Sequence, residues 1–323
     1  MVVASLVDRQ TWAAIPAAVA AVCRSTERCG HHRGFREVRM QDWHIGIILG
    51  IVEGLTEFLP VSSTGHLILA GHALGFTGPK AETFEVVIQL GAILAIVVLY
   101  RDRLLRLAGV RRRRKQPGGG SGTWTGEASG QRSGFGLMHL AAAALPGFAV
   151  GLAFHDFIKD VMWSPATVLV GLVAGGLHMM YAERKPTAVR ARTIDDLSIR
   201  QAWIIGLYQC LAILIPGFSR SGATIAGGML AGASLRAAAD FSFLVAVPMM
   251  LGASAFDLWD SAEYLTLQDA ELFLTGFVVS FLVAMMAVVS FLKLLEKVSL
   301  TAFAFYRMGL AAVFLAYMAW IGL

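Results

Sequence analysis

The chain has 323 residues, of which 56% are hydrophobic and only 15% charged, against about 25% charged in soluble domains; that balance excludes a soluble globular protein and calls for a bilayer. A net charge of +5 could serve nucleic acid, but the basic residues cluster in loops beside apolar runs, so they read as topology signals and no nucleic acid is expected. Cys23, Cys29 and Cys210 have neither metal-ligand spacing nor a disulfide framework.

Residues 1–39 form an extension with Arg9, Arg24, Arg28, Arg33, Arg36 and Arg39 around a short apolar run, Trp12 to Cys23. It makes a poor signal peptide and is expected to be disordered or a non-native start. A single membrane domain follows over 40–323. Runs near the roughly 20 residues needed to cross the hydrocarbon core are Phe84 to Tyr100, Leu137 to His155, Ala166 to Ala182, Phe241 to Trp259, Leu272 to Leu292 and Ala302 to Ile321. Between them, residues 101–136 make a basic, then Gly/Ser-rich, loop. The segment Glu183 to Arg200 is also basic, whereas 156–165 and 260–271 are not. The positive-inside rule places the basic loops in the cytoplasm and the carboxyl terminus outside.

The first polar motif interrupts the apolar pattern at Glu53-Gly54-Leu55-Thr56-Glu57-Phe58-Leu59-Pro60-Val61-Ser62-Ser63-Thr64-Gly65-His66. Glu53 and Glu57, four apart, share a helix face and can hold one divalent cation or one proton between them. Charged groups at membrane depth cost about 2.5–3.5 kcal/mol each on insertion scales, so such a pair needs a ligand. Pro60 ends the helix, and Ser62, Ser63 and Thr64 supply N-cap chemistry for a new one whose free N–H groups suit a phosphate. His66, in its first turn, can act as acid, base or nucleophile.

The second motif, Pro216-Gly217-Phe218-Ser219-Arg220-Ser221-Gly222-Ala223-Thr224, repeats the pattern. Arg220 can grip a phosphate through two parallel hydrogen bonds, with Ser219, Ser221 and Thr224 as hydroxyl donors around it. Aligned on their prolines, the motifs define a duplication, repeat 1 over about 40–182 and repeat 2 over about 201–323: Gly50 and Gly206 each precede the proline by ten residues, and Gln209 takes the place of Glu53. Three spans after each motif would make the repeats inverted, with broken helices meeting at mid-membrane. The expected fold is therefore an all-α polytopic membrane protein with about six transmembrane helices and two re-entrant hairpins. Carboxylates from one half and the arginine from the other then make one composite site.

The strings EGLTEFLPVSSTGH and PGFSRSGAT, with TFEVVIQLGAILA, QAWIIGLYQCLA and FSFLVAVPMM around them, closely resemble the undecaprenyl-diphosphatase family of bacteria, the bacitracin-resistance proteins. The resemblance covers about residues 40–323. It implies hydrolysis of undecaprenyl diphosphate to the monophosphate, which recycles the lipid carrier of peptidoglycan synthesis in the inner membrane. It further implies a divalent cation, Mg²⁺ or Ca²⁺, at Glu53 and Glu57, and an active site open to the outer face. Family positions for catalysis fall on Glu53, Glu57, Ser63, His66 and Arg220, and Ser62, Ser219, Ser221 and Thr224 fall on the remaining polar motif positions; Thr64 joins them as a substrate contact. Homodimer formation is left open. The main alternative is a polyprenyl-phosphate transporter or flippase, because inverted repeats with broken helices are also a transporter architecture.

Overall fold

The computed structural model describes residues 42–109, 134–162, 164–260, 269–295 and 297–321. The amino-terminal extension and most of the Gly/Ser-rich loop lie outside the described residues. Helices occur in the order α1 (Asp42–Thr56), α2 (Ser63–Leu74), α3 (Pro79–Leu99), α4 (Arg101–Leu107), α5 (Leu137–Ala153), α6 (His155–Phe157), α7 (Pro165–Arg184), α8 (Ile199–Leu214), α9 (Arg220–Leu230), α10 (Leu235–Asp260), α11 (Ala270–Leu294) and α12 (Leu300–Ile321). The basic loop thus opens with a helical segment, α4, in which Leu104 and Leu107 pack on the core while Arg101 and Arg106 face out. No strand is present among the described residues, only an isolated bridge between Ala191 and Ala233.

Among the described residues five helices are long and apolar enough to cross a membrane: Pro79–Leu99, Pro165–Arg184, Leu235–Trp259, Ala270–Leu294 and Leu300–Trp320. The sixth expected span is shorter than its apolar run. Helix α5 has 17 residues with Pro146 inside it, and the chain continues only through α6 and a π-helical turn over Ile158–Met162.

Helix directions follow from side-chain register. Tyr100, at the end of α3, donates to Asp240 near the start of α10 (2.6 Å), and Ser254 late in α10 meets Gln89 in mid-α3 (3.5 Å); α3 and α10 are antiparallel. Hairpin α1–α2 returns to the end where α3 starts, and hairpin α8–α9 returns to the end where α10 starts, so the two hairpins enter from opposite faces. The inverted repeat is present in three dimensions.

The repeats also exchange partners. Helix α1 packs on α11, and α8 packs on α5, so each broken helix lies against a span of the other half. Close approach makes this possible. A Cβ on Gly50 would stand 2.7 Å from the Gly276 carbonyl, one on Gly54 2.7 Å from that of Ser280, and one on Gly206 2.5 Å from that of Ala143. Gly50 and Gly206 are the two glycines that precede the motif prolines, so the sequence duplication marks the same contact twice.

Candidate active site

Both breaks are built alike. Ser62 and Ser219 are the N-caps of α2 and α9, with φ of 73° and 71°, and they are the described non-glycine residues with positive φ. Their hydroxyls accept from the Gly65 N–H (3.4 Å) and the Gly222 N–H (3.2 Å). A left-handed serine costs on the order of 1–3 kcal/mol. Here it reverses the chain within a few residues, so that a fresh helix amino terminus, with its unpaired N–H groups, faces back into the protein.

The breaks touch. Ser221 Oγ, after the second, donates to the Leu59 carbonyl before the first (2.9 Å). Between them lies a cavity of about 140 Å³, lined among others by Glu57, Ser62, Ser63, Thr64, Gln89, Ser219 and Arg220. Glu57 is its hub. Ser63 Oγ donates to Glu57 Oε2 at 2.7 Å, and Arg220 Nη2 donates to Glu57 Oε1 at 2.9 Å. Arg220 also donates to the Ser242 carbonyl (3.3 Å) and stands 5.9 Å from the centre of the Phe58 ring. A serine, a carboxylate and an arginine from opposite halves of the chain therefore form one hydrogen-bonded line.

The remaining motif residues are placed less uniformly. Glu53 lies one turn before Glu57, 1% exposed. Neither of its carboxylate oxygens has a hydrogen-bond partner, although it is within electrostatic reach of Glu57, Glu85 and Arg220. Thr224 Oγ1 is engaged with the Arg220 carbonyl (2.9 Å) and Ser242 Oγ (2.6 Å). Like Ser221, it is turned into the fold and does not line the cavity. These two hydroxyls brace the second break.

His66 does not line the cavity either. Its Nδ1 lies 2.7 Å from the Ser62 carbonyl, and its Nε2 lies 2.7 Å from the Tyr306 hydroxyl. A carbonyl only accepts, so Nδ1 carries the proton, and in the neutral ring Nε2 accepts from Tyr306. Both nitrogens are committed, which leaves no lone pair facing the Ser63–Glu57–Arg220 line.

The site also contains residues that the motifs do not announce. Gln89 lines the cavity from α3, and Arg307, 0% exposed, sits under the second break. Each is a polar residue inside an apolar span, and that mismatch is a signal of function readable from sequence.

Two neighbouring carboxylates, one with both oxygens buried and unpaired, have the donor chemistry of a divalent-cation site. Among the described residues no group of three or more His, Cys, Asp or Glu side chains is arranged to hold a metal. Substrate oxygens and water would complete the shell, as is usual for Mg²⁺.

The family model described as bacitracin resistance protein BacA matches residues 46–313. Proteins named undecaprenyl-diphosphatase 1 from Bacillus thuringiensis (strain Al Hakam) and from a strain of Bacillus cereus are each 50% identical over 278 residues, covering 85% of this chain and 98% of theirs. That from Bacillus anthracis is 49% identical over the same length. Because the matched region runs from α1 into α12 and contains both breaks, the chain belongs to the BacA family of bacitracin resistance proteins.

Proposed function

We propose that the chain is a multi-pass membrane hydrolase that converts undecaprenyl diphosphate to undecaprenyl phosphate and inorganic phosphate, regenerating the lipid carrier for peptidoglycan synthesis. The observation that carries this reading is the line Ser63–Glu57–Arg220 across the two breaks. It sets a hydroxyl, a base and an anion-binding guanidinium side by side between two helix amino termini. The cavity's volume of about 140 Å³ is well below the roughly 300–1,000 Å³ of pockets that engulf a whole small ligand. It suits a diphosphate head group, with the prenyl chain left in the bilayer.

Glu57 is the base in this scheme. It takes the Ser63 proton as Oγ attacks the terminal phosphorus, the bond from that phosphorus to the bridging oxygen breaks, and undecaprenyl phosphate leaves with the proton from Glu57, which restores the carboxylate. Water, deprotonated by the same carboxylate, then releases phosphate from the serine. Arg220 and the N–H groups of α2 and α9 stabilise charge on the phosphoryl oxygens. Glu53 and Glu57 would hold Mg²⁺ or Ca²⁺, which supplies charge neutralisation at the diphosphate. Arg220 has a double task, since the incoming anion competes with Glu57 for the guanidinium.

Arg101, Arg103, Arg106 and Arg236 gather at the end where α3 finishes and α10 begins. By the positive-inside rule this end is cytoplasmic, and the end with Lys80 paired to Asp269 is outside. The cavity opens to that outer face in this reading.

The deciding experiment is phosphate release from undecaprenyl diphosphate by purified protein in detergent, with and without chelator. Detergent removes any meaning from transport, so release that depends on Ser63 and on a divalent cation supports hydrolysis. Absence of release from folded wild-type protein overturns it. Trapping a phosphorylated Ser63 would establish the covalent route, and full turnover without it would assign the attack to water.

A further inference from the structure

Tyr306 and Arg307 are neighbours on α12, far in sequence from both motifs, yet each holds one of the breaks. Tyr306 bonds His66 Nε2 (2.7 Å), and His66 in turn donates to the carbonyl of Ser62, the strained N-cap of the first break. Arg307 holds the second break directly. Its Nη1 donates to the Phe218 carbonyl (2.9 Å) and its Nη2 to the Gly217 carbonyl (2.8 Å), while Nη2 and Nε also reach the Gly171 (3.0 Å) and Leu172 (3.2 Å) carbonyls of α7.

From this geometry we propose that Tyr306 and Arg307 are positioning residues, bolting both breaks to one helix and thereby fixing the spacing between Ser63 and Arg220. The proposal rests on the composite site described above. Neither residue lines the cavity, so neither is a catalytic residue.

Three observations support it. Arg307 is 0% exposed and forms no ion pair among the described residues, and a buried guanidinium without a carboxylate is costly. An arginine serving only to fill space would be better replaced by an apolar side chain. Secondly, two of the four carbonyls it takes, those of Gly217 and Phe218, belong to the break, where a helix has been interrupted and no backbone N–H is at hand. Thirdly, the two struts differ in chemistry but converge on adjacent positions of one rigid helix. A shift of α12 would therefore move both breaks together, whereas loss of one strut would let them drift relative to each other. A displacement of about 1 Å at a reacting group can cost on the order of 10²-fold in rate.

The test compares Tyr306→Phe, Arg307→Lys and the double variant with wild type, measuring kcat and KM for phosphate release and thermal stability in the same detergent. Each single variant should lower kcat by about 10- to 100-fold, the range found when outer supporting contacts are removed. KM and stability should stay close to wild type. The double variant should lose less than the product of the two, because both act through one spacing. Losses that multiply, or that follow the fall in thermal stability, overturn the proposal. Should Arg307→Lys fail to fold, Tyr306→Phe decides alone, since it removes one hydroxyl from a half-exposed ring; an unchanged kcat sinks the idea. Failure of the composite-site reading is recognised separately, as full activity in Ser63→Ala or Arg220→Ala.

Discussion

Replacing Arg220 tests the site most sharply, because the proposed mechanism gives it two roles with different signatures. Its guanidinium neutralises Glu57, which is 7% exposed, and in the proposed reaction it would turn to the diphosphate. Arg220→Ala removes both contacts. Loss of one preorganised charge-stabilising donor costs about 2.7–4 kcal/mol of transition-state energy, or about 10²- to 10³-fold in kcat. Breaking a buried pair by removing one partner adds a stability loss of about 3–5 kcal/mol. Arg220→Lys keeps the charge but loses the planar fork. Stability should then be largely retained, because an ammonium can still pair with Glu57, while kcat falls by about 10²-fold. Steady-state phosphate release and thermal unfolding, measured on the same preparations, separate the two effects. Wild-type kcat/KM in Arg220→Ala would refute the reasoning outright. Equal stability losses in both variants would show that the fork, and not the charge, holds Glu57.

Three further outcomes are expected. Ser63→Ala should abolish phosphate release, with unchanged stability, because its hydroxyl contacts Glu57 at the cavity wall; residual rates near wild type would move the attack elsewhere. Glu53→Gln removes a buried carboxylate without partners, so in chelator it should melt at or above the wild-type temperature. The stabilisation gained on adding Mg²⁺, about 2.7 kcal/mol at a hundredfold excess over Kd, should shrink or vanish, and an unaltered Mg²⁺ response would exclude Glu53 as a ligand. Gly54→Ala drives a methyl to 2.7 Å from the Ser280 carbonyl and should destabilise by about 1–3 kcal/mol. Thermal unfolding in detergent checks this, and a neutral result would mean that α1 can lift from α11 freely.

The two breaks were legible in the sequence because their signals are local. Pro60 and Pro216 forbid continuation of a helix, and the serines that follow announce new amino termini, which is where α2 and α9 begin. That carboxylates of one half and the arginine of the other share one site followed from the repeat, but the direct pairing of Glu57 with Arg220 was not foreseen. Directions of hydroxyls were not legible, since spacing along a helix does not say which neighbour will offer a carbonyl. Thus Ser221 finds Leu59 and Thr224 finds Ser242, both supplied by tertiary packing. The fate of His66 was equally hidden, because its second partner, Tyr306, lies 240 residues away. At α5 the helix is shorter than the apolar run that announced it, ending at Ala153 ahead of a π-helical turn over Ile158–Met162. Arg307 went unremarked in its apolar span, and its partners, carbonyls brought in by tertiary packing, could not be read from spacing.

The exchange of packing partners between the repeats bears on how the protein is made. During insertion, α1 enters the membrane long before α11 exists, yet its glycine face is shaped to the backbone of that helix. Until α11 arrives, Glu53 and Glu57 lie on a helix without its seat, and the first hairpin has no reason to hold its final depth. The second half meets the opposite situation, since α5 already awaits α8. Assembly is therefore staggered: the later hairpin docks on arrival, while the earlier one waits for nearly the whole chain. A chain truncated before α11 would leave Ser63 and Glu57 on an unseated hairpin even though every residue of the first motif had been synthesised.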